Sequence, residues 1–524
     1  MRVMFDLLLL NATLHDGTGA EARVCDVGVT GDRVAAIGGL AAAEARERLD
    51  LRGLVLAPGF IDAHSHSDTH ILVHPEATSK ITQGVTTEIC GQCGSSAAPL
   101  FDGATLPSDW EAARPPGQWQ TVAQYRAVLE GVRPAVNIAL FAGHNTLRKG
   151  VMGYAPRAAT PDELALMARR LEAALDDGAA GLSTGLLYNP GPHATAEEIF
   201  TLARIAARRG RLYATHMRSE SAELLEALDE TLVLAESAGV RLQVSHLKTG
   251  SADSAWKLAP ALEKIHAAQA RGARVHADRY PYLAGSTDLD VLLPAWAAQG
   301  GRDAILGRLD DPAQRGRVVD ELSAHSHWSG VMIGATWHAA LLATRGKTLD
   351  VVAAEWGLPP AEAFVKILRL DELRTGAFFF GMNQPNLETI YREPWVMPGS
   401  DASLRGLDGP LGLDHPHPRA FGTFPRFLRM ATTMRNPLSF PEAIRRMTSL
   451  PADAFGLRDR GRVVAGAFAD LVAFDPETFA DRADYANPRQ VCEGLRHVIV
   501  NGALAFSNHR PTGPRRGVFL TPEY

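Results

Sequence analysis

The apolar run Leu54-Val-Leu-Ala-Pro-Gly-Phe-Ile-Asp-Ala ends in His64-Ser-His66. Two residues apart on a strand, both imidazoles project to the same side. Two imidazoles aimed at one point suit a borderline cation such as Zn²⁺, although an isolated H-x-H also fits two surface histidines. His216 in Ala-Thr-His-Met-Arg-Ser-Glu and His246 in Val-Ser-His-Leu-Lys-Thr-Gly each close a further apolar run. Four histidines at strand ends point to a metal centre, where one alone would read as a core histidine bonded to a carbonyl. Cys90-Gly-Gln-Cys93-Gly follows another β-type run. No second C-x-x-C completes a zinc ribbon, and a turn flanked by Gly91 and Gly94 can bring a Cys93 thiolate close to a metal. Cys90, still within the run, reads as a small buried hydrophobe. Pro394-Trp-Val-Met-Pro-Gly-Ser-Asp401 ends in a carboxylate. Near a metal it could take a proton from an attacking water and pass it to a leaving nitrogen; locally, Ser400-Asp401 reads equally as an Asx-turn or a helix N-cap.

These residues need a scaffold that presents strand ends side by side. Helical spacing opens at Thr160-Pro-Asp-Glu163 and Thr195-x-x-Glu198, both capping-box patterns. After each helix a glycine (Gly210, Gly239, Gly272) precedes an apolar run, and the runs end near His216, His246 and His276. Units of about 30 residues in series predict a parallel sheet, with the (β/α)₈ barrel favoured at this length. An open doubly wound sheet would carry a glycine-rich loop after its first strand, and none is found. Short β-type runs with Asp-Gly and Asn-Gly turns fill both ends of the chain, predicting one small β domain assembled from residues 1–58 plus 460–524 around a barrel over 59–459. Residues 283–380 break the rhythm and read as an insertion at the barrel mouth, a cover for the site.

The 524 residues are 46% hydrophobic and 21% charged, the composition of a large globular protein. With 53 basic and 59 acidic residues the net charge is −6, which offers nucleic acid or an anionic membrane no general attraction. Four cysteines in this length make no disulfide framework and suit a reducing compartment. Asp6 interrupts the leucine-rich N-terminus, so that segment reads as a strand, and the expectation is a cytoplasmic protein without a membrane partner.

Taken together, APGFIDAHSHSD, GVTTEICGQCG, AGHNTLR, GLSTGLLYNPG, ATHMRSE, QVSHLK, DRYPYLAGST, PWVMPGSDA and HPRAFGTFPR resemble the amidohydrolase superfamily, and within it the N-acyl-D-amino-acid deacylases. The resemblance runs nearly end to end and implies a zinc-dependent hydrolase of N-acyl-D-amino acids, a small-molecule substrate, with a (β/α)₈ barrel, a β-sandwich made from both termini and an inserted lid. It implies a tight zinc site at Cys93, His216 and His246, a weaker second site at His64 and His66 helped by Asp401, and Asp401 as catalytic acid/base. Lys248, two residues past His246 and on the same face if the strand continues, is a candidate contact of the substrate carboxylate, and the resemblance adds Arg419 and Tyr282. Gln92 and Ser95 depart from the family's usual residues beside Cys93. Many relatives bridge two metals with a carbamylated lysine; Lys149 follows a loop-like Gly-His-Asn, so Cys93 takes the bridging place. A functional Lys149 would instead favour a cyclic-amide hydrolase, and a non-catalytic metal-binding protein is the remaining competitor. His144 is expected to orient a loop and His276 to pack. Asp288 and Asp290, where the insertion begins, read as solvated loop residues, and a hydrophobic or broad side-chain preference is expected.

Overall fold

The structure is a computed structural model that describes residues 4–101, 106, 107, 110 and 113–524. Eight short parallel strands form a barrel: Phe60–Asp62, Val85–Cys90, Asn137–Leu140 continued by Ala142–Gly143, Gly181–Gly185, Leu212–His216, Arg241–Val244, Val275–Arg279 and Val396–Pro398. Backbone bonds from Phe141 N to Cys90 O and from Ala180 N to Leu140 O carry the pairing across the third strand. A parallel bridge between Ser65 and Ala402, with Asp401 N donating to His64 O at 2.8 Å, closes the eighth strand on the first. Nearly every strand residue is buried, as a parallel sheet under a helical layer requires.

The helices begin where their caps place them. Thr160 and Glu163 form a reciprocal capping box at Pro161–Asp176, and the Thr195 hydroxyl accepts from Glu198 N at the start of Ala196–Arg208. Leu224–Ala238 stops at Gly239, whose φ of 67° a residue with a Cβ would adopt only at a cost. One register differs from expectation. The seventh strand extends to Arg279, so His276 lies near its start, against Arg241 and Asp453, where burial lowers its pKa to about 4. The mouth position of that strand belongs to Asp278.

Both chain ends enter one nine-stranded sheet, in which Val55–Pro58 pairs antiparallel with Leu471–Phe474 and in parallel with Phe5–Leu14. Val55–Pro58 runs through Gly59 directly into the first barrel strand, so this sheet anchors the segment that carries His64 and His66. After Tyr282 the chain forms a three-stranded antiparallel sheet, Ala284–Asp288, Val331–Ile333 and Gly376–Phe380, with helices Gly301–Asp310, Pro312–Leu322, Leu349–Trp356 and Pro360–Leu370. Leu289, Ile305, Trp328, Ile333 and Phe364 belong to a core of its own. No helix among the described residues is long and apolar enough to cross a membrane.

Candidate metal centre

Two donor groups converge at the C-terminal ends of the barrel strands. His64, His66, Cys93 and Asp401 form one, and Cys93, His216 and His246 the other; within each, the ligand atoms lie within 4.8 Å of one another. Cys93 is common to both. Its Sγ stands 3.3 Å from His64 Nε2 and 3.3 Å from His246 Nε2. Asp401 Oδ1 lies 3.1 Å from His66 Nε2 and 3.4 Å from His64 Nε2.

The backbone makes this convergence possible in an unusual way. Cys93, His246 and Asp401 all occupy the left-handed region, with φ of 53°, 37° and 50°. Non-glycine residues there cost on the order of 1–3 kcal/mol each, and such strain gathers at sites whose side chains must be re-aimed. The surroundings enforce it at Cys93. A Cβ on Gly94 would lie 2.5 Å from both Asn145 Oδ1 and Gly185 N, and one on Gly185 would strike the Cys93 carbonyl. Glycine at both positions therefore lets the Cys93 turn and the end of the fourth strand close against each other. Asp401 caps no helix: its N–H bonds His64 O, and its carboxylate faces histidines on one side and Arg419 on the other.

The electrostatics are those of acids and bases that hold one another charged. Burial pushes the Cys93 thiol up, yet the neighbouring His64 and His246 outweigh it and hold the thiol well below its ordinary value. Burial also opposes protonation of His64, but Asp278, Cys93 and Asp401 raise it well above the usual imidazole value; the Asp401 hydrogen bond and Cys93 carry His66 to about 9. Burial would raise Asp401, whereas Arg419, His246 and His64 keep its carboxyl well below the ordinary range. Both nitrogens of buried His216 lack a hydrogen-bond partner. A soft thiolate, several imidazoles and an orphaned histidine are the donor set that Zn²⁺ takes, so the residues fit the ion.

Several residues of this centre have no residue type or spacing in the sequence that marks their role, although most lie inside the family-like segments. Asp278 Oδ1 sits 3.1 Å from His64 Nδ1, while its carboxylate also accepts from Gln243 and from His246 N. Glu220, four residues after His216, reaches His246 Nδ1 at 2.7 Å and Lys248 Nζ at 2.5 Å. The Tyr188 ring lies edge-on to His216 with centroids 4.8 Å apart. Asn145 holds that loop by donating to Gly185 O and Tyr188 O. Behind the first and eighth strands, buried Lys80 bonds Asp62, Glu88, Ser400 Oγ and Ala402 O. The hydrophobic periodicity of a lone helical turn gives no sign of such a role.

The expected substrate contacts are distributed unevenly. Lys248 is buried beside Glu220, and Arg419 donates to Asp401 Oδ2 at 2.8 Å while lying over the Tyr280 ring. Tyr282 is buried; its hydroxyl bonds Pro418 O at 3.3 Å and its ring meets His417 edge-on. It thus braces the turn that precedes Arg419, and Tyr280 is the tyrosine beside both cations. His144 bonds Glu198 at 2.8 Å. Lys149 lies inside helix His144–Met152 with its Nζ over the Tyr154 ring, not at a strand end. All four cysteines are unpaired, and burial drives the Cys90 thiol well above its ordinary value, as suits a packing residue.

Comparison with known proteins decides the family. The model of an amidohydrolase family matches residues 47–506. The chain belongs to that family. It is 39% identical, over 98% of its length and 97% of the relative's, to a D-aminoacylase of Alcaligenes xylosoxydans xylosoxydans. Among solved structures it matches an N-acyl-D-glutamate deacylase from Bordetella bronchiseptica, complexed with zinc and a phosphonate mimic of the tetrahedral intermediate. That match has a TM-score of 0.85 and 34% identity, covering 99% of this chain and 100% of the other. A D-aminoacylase whose binuclear metal centre shows one-metal activation and second-metal attenuation matches with a TM-score of 0.82 and 37% identity, covering 98% and 99%. The barrel of this amidohydrolase is therefore a TIM-like one, with its donor groups at the mouth.

Proposed function

We propose that this amidohydrolase cleaves the amide bond of N-acyl-D-amino acids, releasing a carboxylate and a free D-amino acid, and that it depends on zinc. The observation that carries the reading is the meeting of both donor groups at Cys93, with the Asp401 carboxylate against the His64–His66 side. Cys93, His216 and His246 would hold the tight ion, and His64 and His66 with Asp401 a weaker second one. Bound zinc supplies Lewis-acid polarisation of a carbonyl and lowers the pKa of water toward ~7.

The remaining steps belong to the chain's own side chains. Asp401, held as a carboxylate by Arg419, accepts a proton from the water that attacks the amide carbon. It then returns that proton to the nitrogen as the C–N bond breaks, so the amine leaves neutral. Lys248 and Arg419 offer cationic donors for the substrate's α-carboxylate, with Tyr280 between them. Tyr282 contributes through the Pro418 turn. The insertion built on Ala284–Asp288 follows the seventh strand directly and serves as the cover that excludes bulk water. The four unpaired cysteines support a reducing compartment, the cytoplasm.

The D-configuration and the side-chain class are tested together. Zinc-loaded protein is offered paired N-acetyl-D- and N-acetyl-L-amino acids with acidic, apolar and aromatic side chains, and primary-amine release is followed. Release from the D-series alone is expected. Silence on both series with zinc bound overturns the reading.

A further inference from the structure

Lys248 and Glu220 belong to different loops at the barrel mouth, yet both reach the same nitrogen. Lys248 Nζ stands 2.8 Å from His246 Nδ1, and Glu220 Oε1 stands 2.7 Å from it. A ring nitrogen cannot accept from an ammonium and donate to a carboxylate at once. The choice matters, because the other nitrogen, Nε2, faces Cys93 Sγ at 3.3 Å. If Nδ1 accepts from Lys248, a neutral ring carries its proton on Nε2 and has no lone pair for a metal. If Nδ1 donates to Glu220, Nε2 is free to ligate.

The geometry points to Glu220 as a positioning residue that sets the tautomer of His246 and, with it, zinc affinity. This rests on the zinc-dependent reading of the site. Three contacts favour the carboxylate. It takes Lys248 Nζ at 2.5 Å, closer than the 2.8 Å from Nζ to Nδ1, so the carboxylate is the ammonium's nearer partner. Its other oxygen, Oε1, is buried, makes no hydrogen bond elsewhere and stands 2.7 Å from Nδ1, while Oε2 lies 3.5 Å from His216 Nε2, so the carboxylate is close to two of the three residues assigned to the tight site. Its backbone is pinned where it must be, because Gly250 N donates to Glu220 O at 2.7 Å and so ties the loop after the fifth strand to the loop after the sixth. Asp278 stands in the same relation to His64, contacting Nδ1 at 3.1 Å while Nε2 faces Cys93 at 3.3 Å. Two carboxylates, one on the loop after the fifth strand and one on the seventh strand, thus face two imidazoles whose Nε2 atoms point toward one thiolate. Glu220 differs in also restraining the cation assigned to substrate, so it couples metal holding to carboxylate capture.

The test compares wild type, Glu220→Gln and Glu220→Asp as full-length protein. Zinc affinity is read by competition with a chromophoric chelator, and KM and kcat by amine release from an N-acetyl-D-amino acid. In Glu220→Gln, zinc affinity is expected to fall about 10- to 100-fold, the cost usual for losing an outer partner of a ligating histidine. KM is expected to rise as Lys248 loses its restraint, and Glu220→Asp, which keeps the charge, recovers part of the affinity. Should Glu220→Gln not fold, because Lys248 is left buried and unpaired, Glu220→Gln/Lys248→Met is measured against Lys248→Met alone; a tenfold or greater loss of zinc affinity is again expected. Equal affinities in either comparison overturn the inference. A wild type that binds zinc but releases no amine overturns the proposed function while leaving the zinc comparison decisive, and a wild type that binds no zinc overturns both.

Discussion

Gly94→Ala is the sharpest probe of how the barrel holds Cys93. Gly94 has φ of 75°, and an added Cβ would lie 2.5 Å from Gly185 N and from Asn145 Oδ1. A left-handed backbone costs an alanine about 1–2 kcal/mol by itself. The steric part is separate: contacts must lengthen by roughly half an ångström or more, and forcing a methyl into a packed site costs about 1–3 kcal/mol. Gly210→Ala separates the two, since Gly210 has φ of 66° and a Cβ there would meet nothing within 4 Å. Gly210→Ala should lose only the backbone part of stability and bind zinc as wild type does. Gly94→Ala should lose more, by about 1–3 kcal/mol in denaturant melts, the steric cost alone. The Gly94 backbone cannot retreat without carrying Cys93, and metal sites tolerate displacements of only about 0.2 Å in their ligands. Zinc affinity should therefore fall at least tenfold, together with activity. If the two variants lose equal stability and Gly94→Ala keeps wild-type affinity for zinc, the argument that close backbone packing aims Cys93 is refuted.

Three further outcomes are expected. Asp401→Asn should retain zinc, because Cys93, His216 and His246 remain, while turnover drops by about 10²–10⁴-fold, the usual worth of a positioned acid/base; turnover within tenfold of wild type would remove Asp401 from that role. Stripping zinc with a chelator should abolish amine release, and about one equivalent should restore it, with a second adding nothing, as a metal titration of activity will show. Lys80→Met should destabilise the fold by about 3–5 kcal/mol in denaturant unfolding, because Asp62 and Glu88 would be left buried without their shared cation; a loss under 1 kcal/mol would mean that the pair is not held by that charge.

Side-chain periodicity carried the strand ends well. Leu212–His216 and Arg241–Val244 lie where glycine-bounded apolar runs put them, and the caps at Thr160 and Thr195 start their helices. The seventh strand defeated that reading because Val275–Arg279 contains His276, Asp278 and Arg279, polar residues that look like a strand's end but lie within it. Asp401 was ambiguous for a different reason. An Asx-turn and a carboxylate at a barrel mouth have the same local sequence, and only the closure of the eighth strand on His64 and Ala402 separates them. Glu220, Asp278 and Lys80 act across loops or between strands distant in sequence, and pairing of that kind leaves no periodic trace.

The charges at the centre say why one ion should be held more tightly than two. Lys248 is matched by Glu220 and Arg419 by Asp401. What remains among the touching groups is the Cys93 thiolate, which stands against His64 and His246, and the Asp278 carboxylate, whose partners are His64, Gln243 and a backbone N–H. Two negative charges in a buried site, once the imidazoles have given up their protons to ligate, are the complement of a single divalent cation. Loading that cation neutralises the centre, and a second divalent ion at His64 and His66 then enters a buried site with no counter-charge left except by drawing Asp401 away from Arg419. In the proposed mechanism Asp401 is also the group that moves the proton, so a second ion would compete with the acid/base for the same carboxylate. On the proposed reading, a weaker second site and a lack of catalytic benefit from filling it would have one physical origin, the sharing of Asp401 among His64, His66 and Arg419.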